Sequence, residues 1–109
     1  MRPFIAALIL CATPALADDW QVLDGAGVRE ALTDRKLTYD SGWQTFSATG
    51  KTLYNAGRDS WGTWDVRGDQ YCSQWPPQGA WDCYDMETNG TDVRFVGSHN
   101  DVTVGRFID

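Results

Sequence analysis

Residues Trp61 to Tyr84 read WGTWDVRGDQYCSQWPPQGAWDCY. Setting Cys72 opposite Cys83 brings Tyr71 against Tyr84, Ser73 against Asp82, Gln74 against Trp81 and Trp75 against Ala80. The chain reversal then falls on Pro76-Pro77-Gln78-Gly79, residues that interrupt a central strand and favour a turn. The stretch predicts an antiparallel hairpin stapled by a Cys72–Cys83 disulfide. Alternation gives Tyr71, Ser73, Asp82 and Tyr84 to one face, and Cys72, Gln74, Trp81 and Cys83 to the other. Aromatic rings stand on both, and at this point either face can be the buried one.

The N-terminus supplies the compartment such a bridge needs. Met1-Arg2-Pro3 is a basic start, Phe4 to Leu10 is apolar, and Ala15-Leu16-Ala17 has the small-x-small form of a leader cleavage site. Residues 1–17 are therefore expected to be a signal peptide, and 18–109 a single β-rich domain. The apolar stretch is too short to cross a membrane as a helix. A lipidated Cys11 is the rival reading, but Leu10 stands where lipoprotein leaders carry a small residue. Removing the leader takes Cys11 with it, so three cysteines become two, an even count that suits one bridge in an oxidising compartment. The expected location is periplasmic or secreted.

Cleavage also removes Arg2, so the domain is more acidic than the net −6 of the whole chain. That balance disfavours nucleic acid and anionic lipid as partners and suits a basic protein, a cation or plain solubility.

Outward from the hairpin, short strands alternate with turn residues. The spacing predicts strands at Leu37–Tyr39, Trp43–Ser47, Thr52–Asn55, Ser60–Val66, Gln70–Trp75, Trp81–Met86, Asp92–Val96 and Val102–Phe107. Asn89-Gly90 is the strongest turn signal among them, because a tight hairpin turn needs positive φ at both positions. One helix is predicted over about 25–34. Asp24 is its N-cap, Val28, Ala31 and Leu32 share a face, and the glycines at 25 and 27 weaken its start. The fold expected is mainly β: one short N-terminal helix, then an antiparallel meander of about eight short strands forming a curled sheet or small barrel, with one disulfide. Alternation points Phe46, Leu53, Trp64, Val66, Val93, Phe95, Val102 and Val104 inward.

Several segments together resemble a group of small exported bacterial proteins of unknown function. They are Gln44-x-Phe46, Gly50-x-Thr52-x-Tyr54, Trp61-Gly62-x-Trp64, Tyr71-Cys72-Ser73, Trp75-Pro76-Pro77 and Trp81-x-Cys83-Tyr84. The resemblance spans nearly all of the chain after the helix. It implies a periplasmic or secreted β domain with a structural disulfide and supplies no catalytic residues. Gly62-Thr63-Trp64 is also similar to the G-x-W of lipocalins, so the architecture is loosely lipocalin- or calycin-like. In lipocalins that tripeptide lies on the first strand and a tryptophan crosses the closed end of the barrel. Here three predicted strands precede it, and the chain is considerably shorter.

Other motifs have simple structural explanations. Arg67-Gly68-Asp69 spells an adhesion tripeptide but falls where a hairpin turn is required, and the glycosylation sequon Asn89-Gly90-Thr91 does the same. His99, in Gly97-Ser98-His99-Asn100-Asp101, is the only histidine, and neighbours within one turn cannot form a Ser-His-Asp relay. One histidine and two bridged cysteines do not make a zinc site. Asp82, Asp85, Glu87 and Asp92 lack calcium-loop spacing, and alternation sends Asp82 and Asp85 to opposite faces.

No catalytic, cofactor or metal residues are therefore expected. Six tryptophans and four tyrosines exceed what a small core needs, and both rings suit binding surfaces. The expected function is a non-catalytic, monomeric binding module, with Trp61, Trp75, Trp81 and Tyr84 as contact residues for a small ligand or glycan. The alternative is a protein-interaction module, such as an inhibitor of a basic secreted enzyme like lysozyme.

Overall fold

A computed structural model describes residues 19–108. The expected leader 1–17, its cleavage after Ala17 and Cys11 lie outside the described residues. The elements, in order, are β1 (Gln21–Val22), α1 (Gly25–Leu32), β2 (Arg35–Thr38), β3 (Trp43–Phe46), β4 (Lys51–Asn55), β5 (Asp59–Arg67), β6 (Gln70–Gln74), β7 (Trp81–Thr88), β8 (Asp92–Val96) and β9 (Val102–Phe107). Every strand from β2 to β9 pairs antiparallel with the next, and β9 pairs back onto β2. The meander thus closes into an eight-stranded barrel. The ninth strand, β1, runs alongside the end of β7 through Gln21↔Thr88 and Val22↔Glu87, with Leu23 N–H donating to the Met86 carbonyl. A two-residue strand leaves no alternation to read, which is why β1 was not expected.

The stapled hairpin has the register its sequence predicts. Tyr71↔Tyr84, Cys72↔Cys83, Ser73↔Asp82 and Gln74↔Trp81 are partners, and the bridge joins Cα atoms 4.0 Å apart. Pairing stops at Gln74↔Trp81, so Trp75 does not continue the ladder to Ala80. Tyr71 and Ser73 are buried and point into the barrel. Cys72 is fully buried on the opposite, outer face, which it shares with Trp81 and Arg67, whose guanidinium lies 4.0 Å from the Trp81 ring centre.

One end of the barrel is filled. Phe46, Trp64, Tyr71, Met86, Val93 and Phe95 form a continuous core with Leu37, and Val28 and Leu32 of α1 complete it. Burial of each such side chain contributes about 1.5–3 kcal/mol. Trp64 stands edge-on to Phe46 and donates its indole N–H to the Ser47 carbonyl (2.8 Å).

The helix is tethered at both ends. Asp24 accepts from the Gly27 N–H and Asp69 from the Gly25 N–H, both at 2.8 Å, so two carboxylates serve donors that the first turn leaves free. The Arg67-Gly68-Asp69 turn is thus part of the helix seat. The helix ends at Leu32, two residues before the sequence suggested. Thr33 is already extended, and Asp34 has φ 59 and donates its N–H to Phe46 O, which turns the chain into β2.

Three inward assignments are corrected. Phe46 pairs with Thr52, so Thr52 and Tyr54 share its inner face and Leu53 lies outside. Val93↔Gly105 and Phe95↔Thr103 put Gly105 and Thr103 inside, and Val102 and Val104 outside at 52% and 46% exposure. In both strands the inward positions hold small or polar residues, so hydrophobicity alone selected the wrong phase.

Candidate functional site

The other end of the barrel is an open cup of about 460 Å³. That volume lies in the range of small-molecule sites. All four tyrosines of the chain, Tyr39, Tyr54, Tyr71 and Tyr84, line it, together with Trp75 and Phe95.

Two aromatic arcs form its walls. Tyr54 lies between Tyr39 and Trp75, with ring centres 6.2 and 6.4 Å away. Opposite them, Tyr71, Tyr84 and Phe95 make a triangle with centre distances of 5.0 to 6.5 Å. These are the spacings at which offset and edge-on aromatic pairs attract.

Two inward glycines make the arcs possible. Gly62 lies on β5, between β4, which carries Tyr54, and β6, which ends one residue before Trp75. A Cβ there would sit 2.6 Å from Trp75 Cε3 and 2.8 Å from the Gln74 carbonyl oxygen. With no side chain in the way, the indole crosses β5 to reach Tyr54. Gly105 plays the same part on β9, where a Cβ would lie 2.9 Å from Tyr39 Cε1. The glycine of Gly62-Thr63-Trp64 therefore makes room for Trp75, while its tryptophan packs at the filled end.

Below the aromatic walls is a buried polar network. Tyr39 Oη donates to Gln44 Oε1 at 2.7 Å, and Gln44 Nε2 donates to Thr52 Oγ1 at 2.8 Å and to Tyr71 Oη at 3.3 Å. Thr52 passes its own proton to the Thr45 carbonyl (2.8 Å), and Trp75 Nε1 donates to Ser73 Oγ (3.1 Å). Gln44, Thr52 and Ser73 are the buried polar residues of the described chain, and all three belong to this network. A buried amide with its partners met fixes the rings around it.

The phenols of Tyr39, Tyr71 and Tyr84 are held in their neutral form. Burial pushes the Tyr39 hydroxyl up from its ordinary pKa, and the nearby Tyr71 and Tyr54 oxygens add to the effect. Burial raises Tyr71 as well, partly offset by hydrogen bonds from Ser73 and Gln44. Tyr84 is raised by burial and then by the negative charges of Asp82 and Asp101. Among the described residues Asp40 is the sole carboxylate on the lining, and no lysine, arginine or histidine of them lies there.

The four expected contact residues separate. Trp75 and Tyr84 line the cup. Trp61 is on the outer face of β5, opposite Leu53, and 58% exposed. Trp81 is also outside, under the Arg67 guanidinium. Tyr39, Gln44, Tyr54 and Tyr71 were not among the expected residues. The signal for Tyr54 was the hairpin between β3 and β4: once Phe46 faces Thr52, Tyr54 must point in. Tyr71 carried a comparable signal, since it pairs with Tyr84 in the stapled hairpin, and Tyr39 follows Leu37 by two residues and so shares its inner face.

The remaining motifs have structural placements. Asp101 accepts the His99 backbone N–H within the Gly97–Asp101 turn, and both residues are exposed. Among the described residues no group of three His, Cys, Asp or Glu side chains could hold a metal ion, and no helix is long and apolar enough to cross a membrane. Comparison with protein families, curated proteins and solved structures found no match to this chain.

Proposed function

We propose that the chain is an exported, non-catalytic binding module that takes a small ligand into the aromatic cup. The observation that carries this reading is the convergence of all four tyrosines and Trp75 on one open cavity, at the cost of two inward positions left without side chains. A barrel selected only for stability gains by filling that end, since each buried aromatic adds apolar contact and each void removes it. Flat rings with fixed partners offer contact area at little further loss of freedom. The disulfide supports the same reading, because it clamps the hairpin that presents Tyr71, Ser73, Tyr84 and, just past its end, Trp75.

The test is intrinsic fluorescence of the purified protein against a panel of envelope glycans, lipids and small metabolites. A ligand that shifts the emission should lose that effect in Trp75→Leu and keep it in Trp61→Leu and Trp81→Leu. A response that follows Trp61 or Trp81, or a panel without any response, rejects the cup as the binding site.

A further inference from the structure

We propose that the ligand is a small organic cation whose weakly hydrated ammonium head sits against the rings of Tyr54, Trp75 and Tyr84. This inference rests on the cup being a binding site and adds the charge and chemical class of what enters it.

The first argument is the distribution of cations over the aromatic rings of this chain. Outside the barrel, three rings are covered by the chain's own cations: Arg94 lies 4.5 Å from the Trp20 ring centre, Lys36 4.3 Å from Trp43 and Arg67 4.0 Å from Trp81. Inside the cup the rings line open space, and among the described residues no lysine, arginine or histidine is on the lining. Ring faces are regions of negative potential, and they attract a cation most strongly where water is partly excluded. The cup therefore gathers aromatic rings in one place with no cation of the described residues on its lining to meet them.

The second argument is the sign of the charges at the rim. Asp40 lines the mouth, on the turn that follows β2. Asp82 and Asp101 act on Tyr84 from outside the lining, and both disfavour its phenolate. The potential that keeps a negative charge off Tyr84 equally opposes an anionic ligand and attracts a cationic one.

The third is access. β2 and β9 pair only through Leu37↔Phe107 and Thr38↔Arg106, after which they part. The turn bearing Asp40 lies on one side of the opening, and the start of β9, immediately after Asp101, lies on the other. Residues of both sides belong to the lining. A ligand enters between carboxylates and reaches the rings behind them. A methylated ammonium suits such a route better than a metal ion. It sheds water readily and needs ring faces rather than oxygen ligands.

The experiment uses choline and its neutral isostere 3,3-dimethyl-1-butanol as probes of the purified protein, by calorimetry and by quenching of indole emission. Choline is expected to bind about tenfold more tightly than the isostere. Asp40→Asn should weaken choline by a few fold and leave the isostere unchanged, while Tyr54→Leu should weaken choline about tenfold. Asp40 is exposed, so its variant tests the idea even if Tyr54→Leu does not fold. Equal binding of the two probes, with loss in Trp75→Leu, overturns the cation and leaves the cup as an uncharged ligand site. Choline binding unaffected by Asp40→Asn and by a folded Tyr54→Leu also overturns it, by placing the cation elsewhere. Binding of neither choline nor the isostere overturns the cation proposal, and a panel without response in the fluorescence screen then rejects the cup as well.

Discussion

The indole of Trp75 fills the space that a side chain on residue 62 would need: a Cβ on Gly62 would come within 2.6 Å of Trp75 Cε3. That one exclusion links the β4 wall of the cup to the end of β6. It also places a Trp75–Tyr54 edge contact across a strand that contributes no atoms to it.

Gly62→Ala is therefore expected to displace Trp75 and destabilise the fold by about 1–3 kcal/mol. Thermal denaturation gives the loss, and near-ultraviolet circular dichroism shows the changed aromatic packing. If the clash is the cause, the same glycine replacement made in Trp75→Leu costs markedly less. An equal cost in both backgrounds places the strain at the Gln74 carbonyl instead.

Reducing the disulfide, or Cys83→Ser, should lower stability by about 2–3 kcal/mol, as expected for opening a short loop in the unfolded chain. The strand pairing Tyr71↔Tyr84 through Gln74↔Trp81 should persist in nuclear Overhauser contacts, because the flanking strands β5 and β8 hold both partners. Unchanged thermal stability in the reduced protein would show the bridge to be structurally idle.

Alkaline pH should unfold the barrel through its tyrosines. An unfolded chain releases phenolic protons near the ordinary value of 10.0, whereas burial holds the protons of Tyr39 and Tyr71 to higher pH. Above that value the folded state binds more protons than the unfolded state, so stability falls as pH rises. Below it, the contribution is present in full. The melting temperature should be insensitive to these groups at neutral pH and drop beyond about pH 10. Phenolate absorbance followed beside far-ultraviolet dichroism checks this: Tyr39 and Tyr71 should ionise with unfolding, and their ionisation in the intact barrel near pH 10 contradicts it.

Asp69→Ala removes the acceptor of the Gly25 N–H and should cost about 1 kcal/mol, the usual value of a helix cap. Asp24→Ala should cost a similar amount through the Gly27 N–H. Hydrogen exchange at Gly25 and Gly27 separates the two: each variant should speed exchange chiefly at its own amide.

Local chemistry made much of this protein legible in its sequence. The Pro-Pro turn, the cysteine pair and strict alternation determined the hairpin register, since a one-residue slip would put Cys72 and Cys83 on opposite faces. Turn residues at short intervals determined an antiparallel meander, and Asp24 with Val28 and Leu32 determined the helix. Strand phase was legible only where hydrophobicity marked the interior. Around the cup the inner positions are Gln44, Thr52, Thr103 and Gly105, so Leu53, Val102 and Val104 pointed the wrong way. The tertiary structure decided what sequence distance conceals. Closure of β9 onto β2 sets Gly105 against Tyr39, and Gly62 lets Trp75 complete the wall that Tyr39 and Tyr54 begin. The rings of Trp61 and Trp81 are chemically equal to that of Trp75, but strand parity leaves them outside. The physical reason is that a period of two assigns each residue to a face, whereas only the closed barrel makes one of those faces the inside of a cup.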